Sequence, residues 1–144
     1  MKTVAHLLKH KGNDIYSVSP DATVRQALEK LVEKNVAGLL VMENNQLVGI
    51  FTERDYARKV VLKGKNSQDT LIREIMTEKV ITITPLTPID TCMEIMTQRR
   101  IRHLPVLHNE AVVGVISIGD LVKFIIEEQK HTIQNLESYI ATGG

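Results

Sequence analysis

Two short segments of this 144-residue chain carry residue types that could hold a small, sugar-bearing or anionic ligand. They are Gly49-Ile-Phe-Thr-Glu-Arg-Asp55 and Gly114-Val-Ile-Ser-Ile-Gly-Asp120. In each, a hydroxyl residue (Thr52, Ser117) precedes an aspartate (Asp55, Asp120) by three positions, where a strand-like run becomes helix-like. One reading is purely local. The hydroxyl accepts a hydrogen bond from a free N–H of the first helical turn, and the carboxylate sits at the positive end of the helix dipole. The other reading adds a ligand. Free N–H groups at a helix start hold phosphate, and a carboxylate accepts from both hydroxyls of a ribose. A single such motif carries little weight, because ordinary caps share it. Two at equivalent positions of a duplication favour the ligand.

The duplication emerges when the chain is shifted against itself by 65 residues: 15–61 lies over 80–126 without a gap. Identities fall at Pro20/Pro85, Glu29/Glu94, Leu39/Leu104, Val41/Val106, Asn44/Asn109, Val48/Val113, Gly49/Gly114 and Asp55/Asp120. Apolar pairs such as Val24/Ile89, Leu31/Met96 and Ile50/Val115 keep the register through helical and strand periods in turn.

Each unit reads β-α-β-β-α. In the first, 15–18 is a short strand, and Thr23 with Gln26 makes a capping box for the apolar stripe Val24, Ala27, Leu28, Leu31, Val32. Runs at 39–42 and 47–51 flank the turn Asn44-Asn45 as a hairpin. A second helix runs over 54–63 to Gly64. The second unit repeats this order, with Pro88 suited to the first turn of its helix. A helix over 3–11 ends at Gly12, 65–70 is a polar linker, and 71–76 is a short helix. The last helix extends from Asp120 towards Ile140, with a stripe of Ile126, Ile133, Leu136 and Ile140. The division expected is 1–64 (first helix and first unit), 65–79 (linker) and 80–144 (second unit with its long helix). One such unit cannot cover both faces of its sheet. The two are therefore expected to pack sheet to sheet about a pseudo-two-fold axis, an α/β (α+β) fold with two clefts of paired loops.

Composition narrows the function. Eighteen Lys and Arg against seventeen Asp and Glu leave +1, which removes bulk charge as a reason to bind nucleic acid or a membrane surface. Five aromatics and no Trp give no platform for stacking bases. The one cysteine, Cys92, excludes an internal disulfide and a multi-Cys zinc site, and it aligns with Ala27 on a buried face. No apolar run reaches the ~20 residues of a membrane span, and 1–11 lacks a secretory apolar core. A soluble, cytoplasmic protein is expected.

With these motifs in place, the sequence resembles a tandem pair of cystathionine-β-synthase (CBS) domains, a Bateman module of the stand-alone bacterial type. The resemblance rests on the two Gly-led motifs, on Arg102-His-Leu-Pro-Val106, on Val36-Ala-Gly-Leu-Leu-Val41 and on the Ile75-Met-Thr77 linker, and it covers essentially the whole chain. It implies an adenine nucleotide in a cleft: AMP, ADP, ATP, or an adenosine-containing molecule such as NAD or S-adenosylmethionine. It implies regulation by ligand sensing, and disc-shaped homodimers that signal to an effector protein.

Carried over by position, the resemblance assigns to the second motif's cleft Asp120 for the ribose, Ser117 near the phosphate or ribose, and Gly119 for close approach. Arg102 and His103 would present basic side chains to phosphate, with Leu104 and Pro105 shaping the wall, and Asp14, Ile15 and Tyr16 would border the adenine. The first motif's cleft would use Asp55, Thr52, Arg54, Ala37 and Gly38, with Lys79, Val80 and Ile81 from the other unit. The clefts differ, since Ala37-Gly38 replaces Arg102-His103 and Arg54 replaces Gly119. They either prefer different ligands or one stands empty.

Other candidates read as structure. Arg99 and Arg100 end a helix, where the dipole favours cations. His6 and His10, at i and i+4, lack a third metal ligand nearby, so no metal is expected. No Ser-His-Asp, HExxH or Walker arrangement is present, so no catalysis is expected. The rival to a nucleotide sensor is a scaffold with vestigial clefts that acts through its last helix.

Overall fold

The computed structural model describes residues 1–141. The last three residues of the expected second unit, 142–144, lie outside the described residues.

The first unit contains β1 (Ser17–Val18), α2 (Val24–Lys34), β2 (Gly38–Glu43) and β3 (Gln46–Thr52), preceded by α1 (Val4–Lys11). A short turn, α3 (Glu53–Asp55), runs directly into a π-helical stretch, Tyr56–Val61. After α4 (Ile72–Ile75) come α5 (Ile89–Arg99), β4 (His103–His108), β5 (Ala111–Ser117) and the long α6 (Ile118–Ala141). The expected capping box forms: Gln26 N–H donates to Thr23 Oγ1 (3.1 Å) and Thr23 N–H to Gln26 Oε1 (2.9 Å). Pro88 is the N-cap of α5, one residue ahead of the first turn.

The hairpins are copies of one another. Asn44-Asn45 and Asn109-Glu110 turn with positive φ at both positions, and a bulge leaves Val48 of β3 and Val113 of β5 as the extra residue of each hairpin. β3 lies against β5 where the units meet. The opening strands differ. β1 pairs in parallel with β2 over two residues, whereas the second unit has only a bridge from Ile83 to Val106. The cause is Pro105. Leu40 N–H donates to the Tyr16 carbonyl (3.1 Å), and Pro105, at the equivalent position of β4, has no N–H to give Ile81.

A second departure is the expected helix over 54–63, much of which is π-helical. Leu62 N–H reaches Ala57 O (3.0 Å) and Lys65 N–H reaches Val60 O (2.9 Å), both five residues back. Val60 is the buried side chain of this stretch.

The two cores are interleaved. α4 buries Ile72 and Ile75 among Val24, Ala27, Leu31, Leu39 and Phe51 of the first unit. α1, which precedes the first unit in sequence, buries Val4, Leu7 and Leu8 in the second core with Ile89, Cys92, Leu104, Ile116 and Leu121. The grouping of α1 with the first unit thus holds along the chain and not in packing. Backbone bonds repeat the exchange: Val4 N–H donates to Thr87 O as Ile72 N–H does to Ala22 O. From α1 the chain crosses back to β1, and from α4 it crosses forward to the second sheet. At the start of the first crossing Lys11 reaches the second motif, and at the start of the second Thr77 reaches the first.

Candidate functional site

Both motifs close as reciprocal caps, and they close differently. In the first, Thr52 N–H (3.0 Å) and Thr52 Oγ1–H (3.1 Å) both donate to Asp55 Oδ2, while Asp55 N–H donates to Thr52 Oγ1 (3.2 Å). Oδ1 is occupied as well, by Thr77 Oγ1–H (3.1 Å) and by the Lys59 ammonium (3.1 Å). Lys59 also donates to Ile75 O (3.2 Å). Asp55 is one of two buried polar residues among the described residues. Neither oxygen is open to a ribose.

In the second motif, Ser117 N–H donates to Asp120 Oδ2 (2.8 Å) and Asp120 N–H to Ser117 Oγ (3.1 Å). The Lys11 ammonium lies 2.7 Å from the same Oδ2 and also bonds the Val115 carbonyl. Asp120 Oδ1 has no partner among the described residues. Burial opposes the Asp120 charge, but hydrogen bonds from Lys11 and Ser117 outweigh it and hold the carboxyl below its ordinary value. Asp120 is therefore an anion at neutral pH. A Cβ on Gly119 would meet only Ser117 Oγ, at 3.7 Å, so the approach to this helix start is open. A shallow groove of about 490 Å³ leads from Gly119 along α6 past Val122, Lys123 and Ile126.

The neighbouring candidates divide in the same way. Arg102 is exposed, and its carbonyl accepts from Ile118 N–H (2.9 Å) at the start of α6. His103 is wedged across the pseudo-axis against Gly38, its equivalent in the first unit. A Cβ on Gly38 would come within 3.1 Å of ring atoms Cε1 and Nε2, so any side chain there would press the ring back by a few tenths of an ångström. Burial, with Lys11 nearby, pushes the His103 pKa down against the pull of Asp120. The neutral imidazole of His103 is thereby favoured at pH 7. Leu104 and Pro105 are buried in the wall.

Tyr16 packs on the first core with the Lys34 ammonium 5.4 Å from its ring centre, and Ile15 is half-buried beside it. Asp14 is exposed on the crossing that leaves Lys11. Around the first motif, Arg54 turns away to donate from Nη1 to Arg100 O (2.7 Å), capping the end of α5. Ala37 O receives Glu53 N–H (3.1 Å). Lys79 is exposed, and Val80 and Ile81 are half-buried on the outgoing crossing.

Sequence reasoning missed three residues that touch the aspartates: Lys11, Lys59 and Thr77. Lys59 carried a signal, since i+4 from Asp55 is an ion-pair spacing on a helix. Thr77 was noted only as part of the linker. Lys11 meets Asp120 through tertiary packing, and nothing in its own neighbourhood marks it. The two helix-1 histidines are engaged structurally: His6 Nδ1 accepts from Thr3 N–H (2.9 Å), and His10 packs against Phe124. Among the described residues no helix is long and apolar enough to cross a membrane.

The family model described as the CBS domain matches the chain twice, at residues 4–62 and 72–127. The chain is 38% identical over 150 residues to the Arabidopsis thaliana protein "CBS domain-containing protein CBSX3, mitochondrial", spanning 98% of this chain and 73% of that one. A solved structure of a putative signal-transduction protein with CBS domains from Burkholderia ambifaria is 46% identical, with TM-score 0.86 over 89% of this chain and 96% of that one. The CBS domain pair of protein MJ0100, solved in complex with 5-methylthioadenosine and S-adenosyl-L-methionine, is 25% identical with TM-score 0.79, covering 89% of this chain and 98% of that one.

Proposed function

The chain belongs to the CBS domain family, as two copies in tandem, and from that premise we propose that it is a regulatory module that binds an adenosine-containing ligand in the cleft of its second motif. The observation that carries this reading is the contrast between the two aspartates. Asp120 keeps one carboxylate oxygen open at the start of a 24-residue helix, whereas both oxygens of Asp55 are committed. A solved CBS pair of similar fold holds two adenosine-containing ligands, which supports the ligand class. Lys11 on Asp120, with the exposed Arg102 immediately before His103, favours a phosphate-bearing member of that class, AMP, ATP or NAD, ahead of S-adenosylmethionine. The module acts by sensing, without catalysis of its own, in the cytoplasm and through an effector protein.

Titration calorimetry with adenosine, AMP, ADP, ATP, NAD and S-adenosylmethionine tests the reading. Saturable binding of a phosphorylated adenosine ligand at one per chain is expected, and no binding by any of the six overturns it. Arg102→Ala should weaken AMP about tenfold and adenosine little, since losing a hydrogen bond to a charged group costs about 1.5 kcal/mol or more. Equal losses for both ligands would remove Arg102 from the phosphate.

We also propose that the protein is a homodimer joined through α6. Ile126, Ile133, Leu136 and Ile140 are 46%, 55%, 58% and 75% exposed on a helix that continues past the duplicated unit. A symmetric pair of such helices would cover both stripes at once. Deleting residues 132–144 should shift sedimentation from dimer towards monomer at micromolar concentration. An unchanged dimer would leave the stripe to another partner, which is the scaffold reading.

A further inference from the structure

We propose that Lys11 is a specificity-determining residue of the second cleft, pairing with Asp120 in the ligand-free protein and turning its ammonium onto the phosphate of a bound nucleotide. This inference rests on the reading that the cleft binds an adenosine-containing ligand.

Lys11 is the last residue of α1, far in sequence from Asp120, and is held beside it by packing. Val4, Leu7 and Leu8 fix the helix in the second core, and the N–H groups of Val4 and Ala5 tie it to Thr87 O and Pro85 O. Gly12 follows with φ 94° and ends the helix, so the backbone leaves and the lysine stem alone reaches into the cleft. Its side chain is 28% exposed and that of Asp120 26%, so the pair is partly shielded from water and open on one side.

The ammonium has three protons. One meets Asp120 Oδ2 and one the Val115 carbonyl, which leaves the third without an acceptor among the described residues. Asp120 Oδ1 is open beside it. A nucleotide can therefore place its ribose on Oδ1 and its phosphate on Lys11 without leaving a charge unpaired. A nucleoside finds the same open Oδ1 but offers the third proton of Lys11 no acceptor.

The first cleft shows the alternative arrangement. There the lysine, Lys59, comes from the motif's own helix and is bound by Asp55, Thr77 and Ile75 O. Phe124 occupies the place of Lys59 in the second unit and is buried, so Asp120 draws its cation from α1 instead. The borrowed lysine has fewer partners than the resident one and a proton to spare.

The test titrates wild type, Lys11→Met and Lys11→Arg with AMP and with adenosine, after circular dichroism has shown that each is folded. Lys11→Met should lower AMP affinity about tenfold and leave adenosine equal or tighter, so the AMP-to-adenosine preference falls at least tenfold. Lys11→Arg should restore most of the preference. If Lys11→Met does not fold, Lys11→Gln, which keeps a donor for Val115 O, is read in its place with the same expectation. Equal affinity changes for the two ligands, or none, overturn the inference and leave Lys11 a structural counter-ion. Wild type that binds neither ligand overturns the cleft reading itself, a result distinct from wild-type binding that Lys11→Met leaves intact.

Discussion

Asp120→Ala lowers the affinity for AMP by about a hundredfold while the melting temperature falls only a few degrees. The binding loss follows from two ribose hydroxyls that share one carboxylate, each hydrogen bond to a charged group contributing about 1.5 kcal/mol or more. The stability loss is that of a helix cap, about 1 kcal/mol, because Asp120 is partly exposed and its partner Lys11 returns easily to water. Titration with 2′-deoxy and 3′-deoxy AMP separates the two effects. Wild type should discriminate against both analogues, and Asp120→Ala should bind all three equally weakly. Should the variant bind AMP as wild type does and merely melt earlier, the second motif is a helix cap and the sensor reading falls.

Asp55→Ala is expected to do the reverse, melting about 8–10 °C lower with AMP affinity per folded molecule unchanged. Its carboxylate is buried and ties together Thr52, Thr77 and Lys59, so it joins the start of α3 to the segment after α4. Removing one member of a buried pair strands the other, at about 3–5 kcal/mol when both are fully enclosed. The Lys59 side chain is 42% exposed and recovers some hydration, which brings the cost to about 2–3 kcal/mol. Scanning calorimetry reads this directly. A normal melting temperature combined with a lost class of binding sites would instead make the first cleft a ligand site.

The contrast between the two aspartates was only partly legible in the sequence. The 65-residue repeat announced two equivalent motifs, and the swap of Arg102-His103 for Ala37-Gly38 announced that the clefts differ. The capping boxes, both hairpins and the buried place of Cys92 could be read as well, because each depends on neighbours a few residues away. Pro105 was visible, yet its effect on the second sheet depends on which carbonyl its missing N–H would have met, a matter of register. The π-helical turn was not visible, because Tyr56–Val61 has the composition of an ordinary helix.

The crossing of α1 was hidden for a different reason. Val4 and Ile72 occupy equivalent places in the two cores, and they are not related by the shift that aligns the rest of the repeat. The helix therefore stood outside the match, and an amphipathic stripe does not name the core it will enter. The same gap concealed Lys11, whose only distinction is where α1 comes to rest.

The exchange of α1 and α4 also bears on how such a pair can be inherited. A gene fragment spanning residues 1–64 would encode a helix whose core lies in the other half, together with a core deprived of Ile72 and Ile75. The reciprocal fragment would lose Val4, Leu7 and Leu8 and with them the wall behind Ile116 and Leu121. Each half carries the keystone of its twin. Recombination that moves one repeat alone would deliver two incomplete arches, so the interlocked duplication is a unit that physical stability favours inheriting whole.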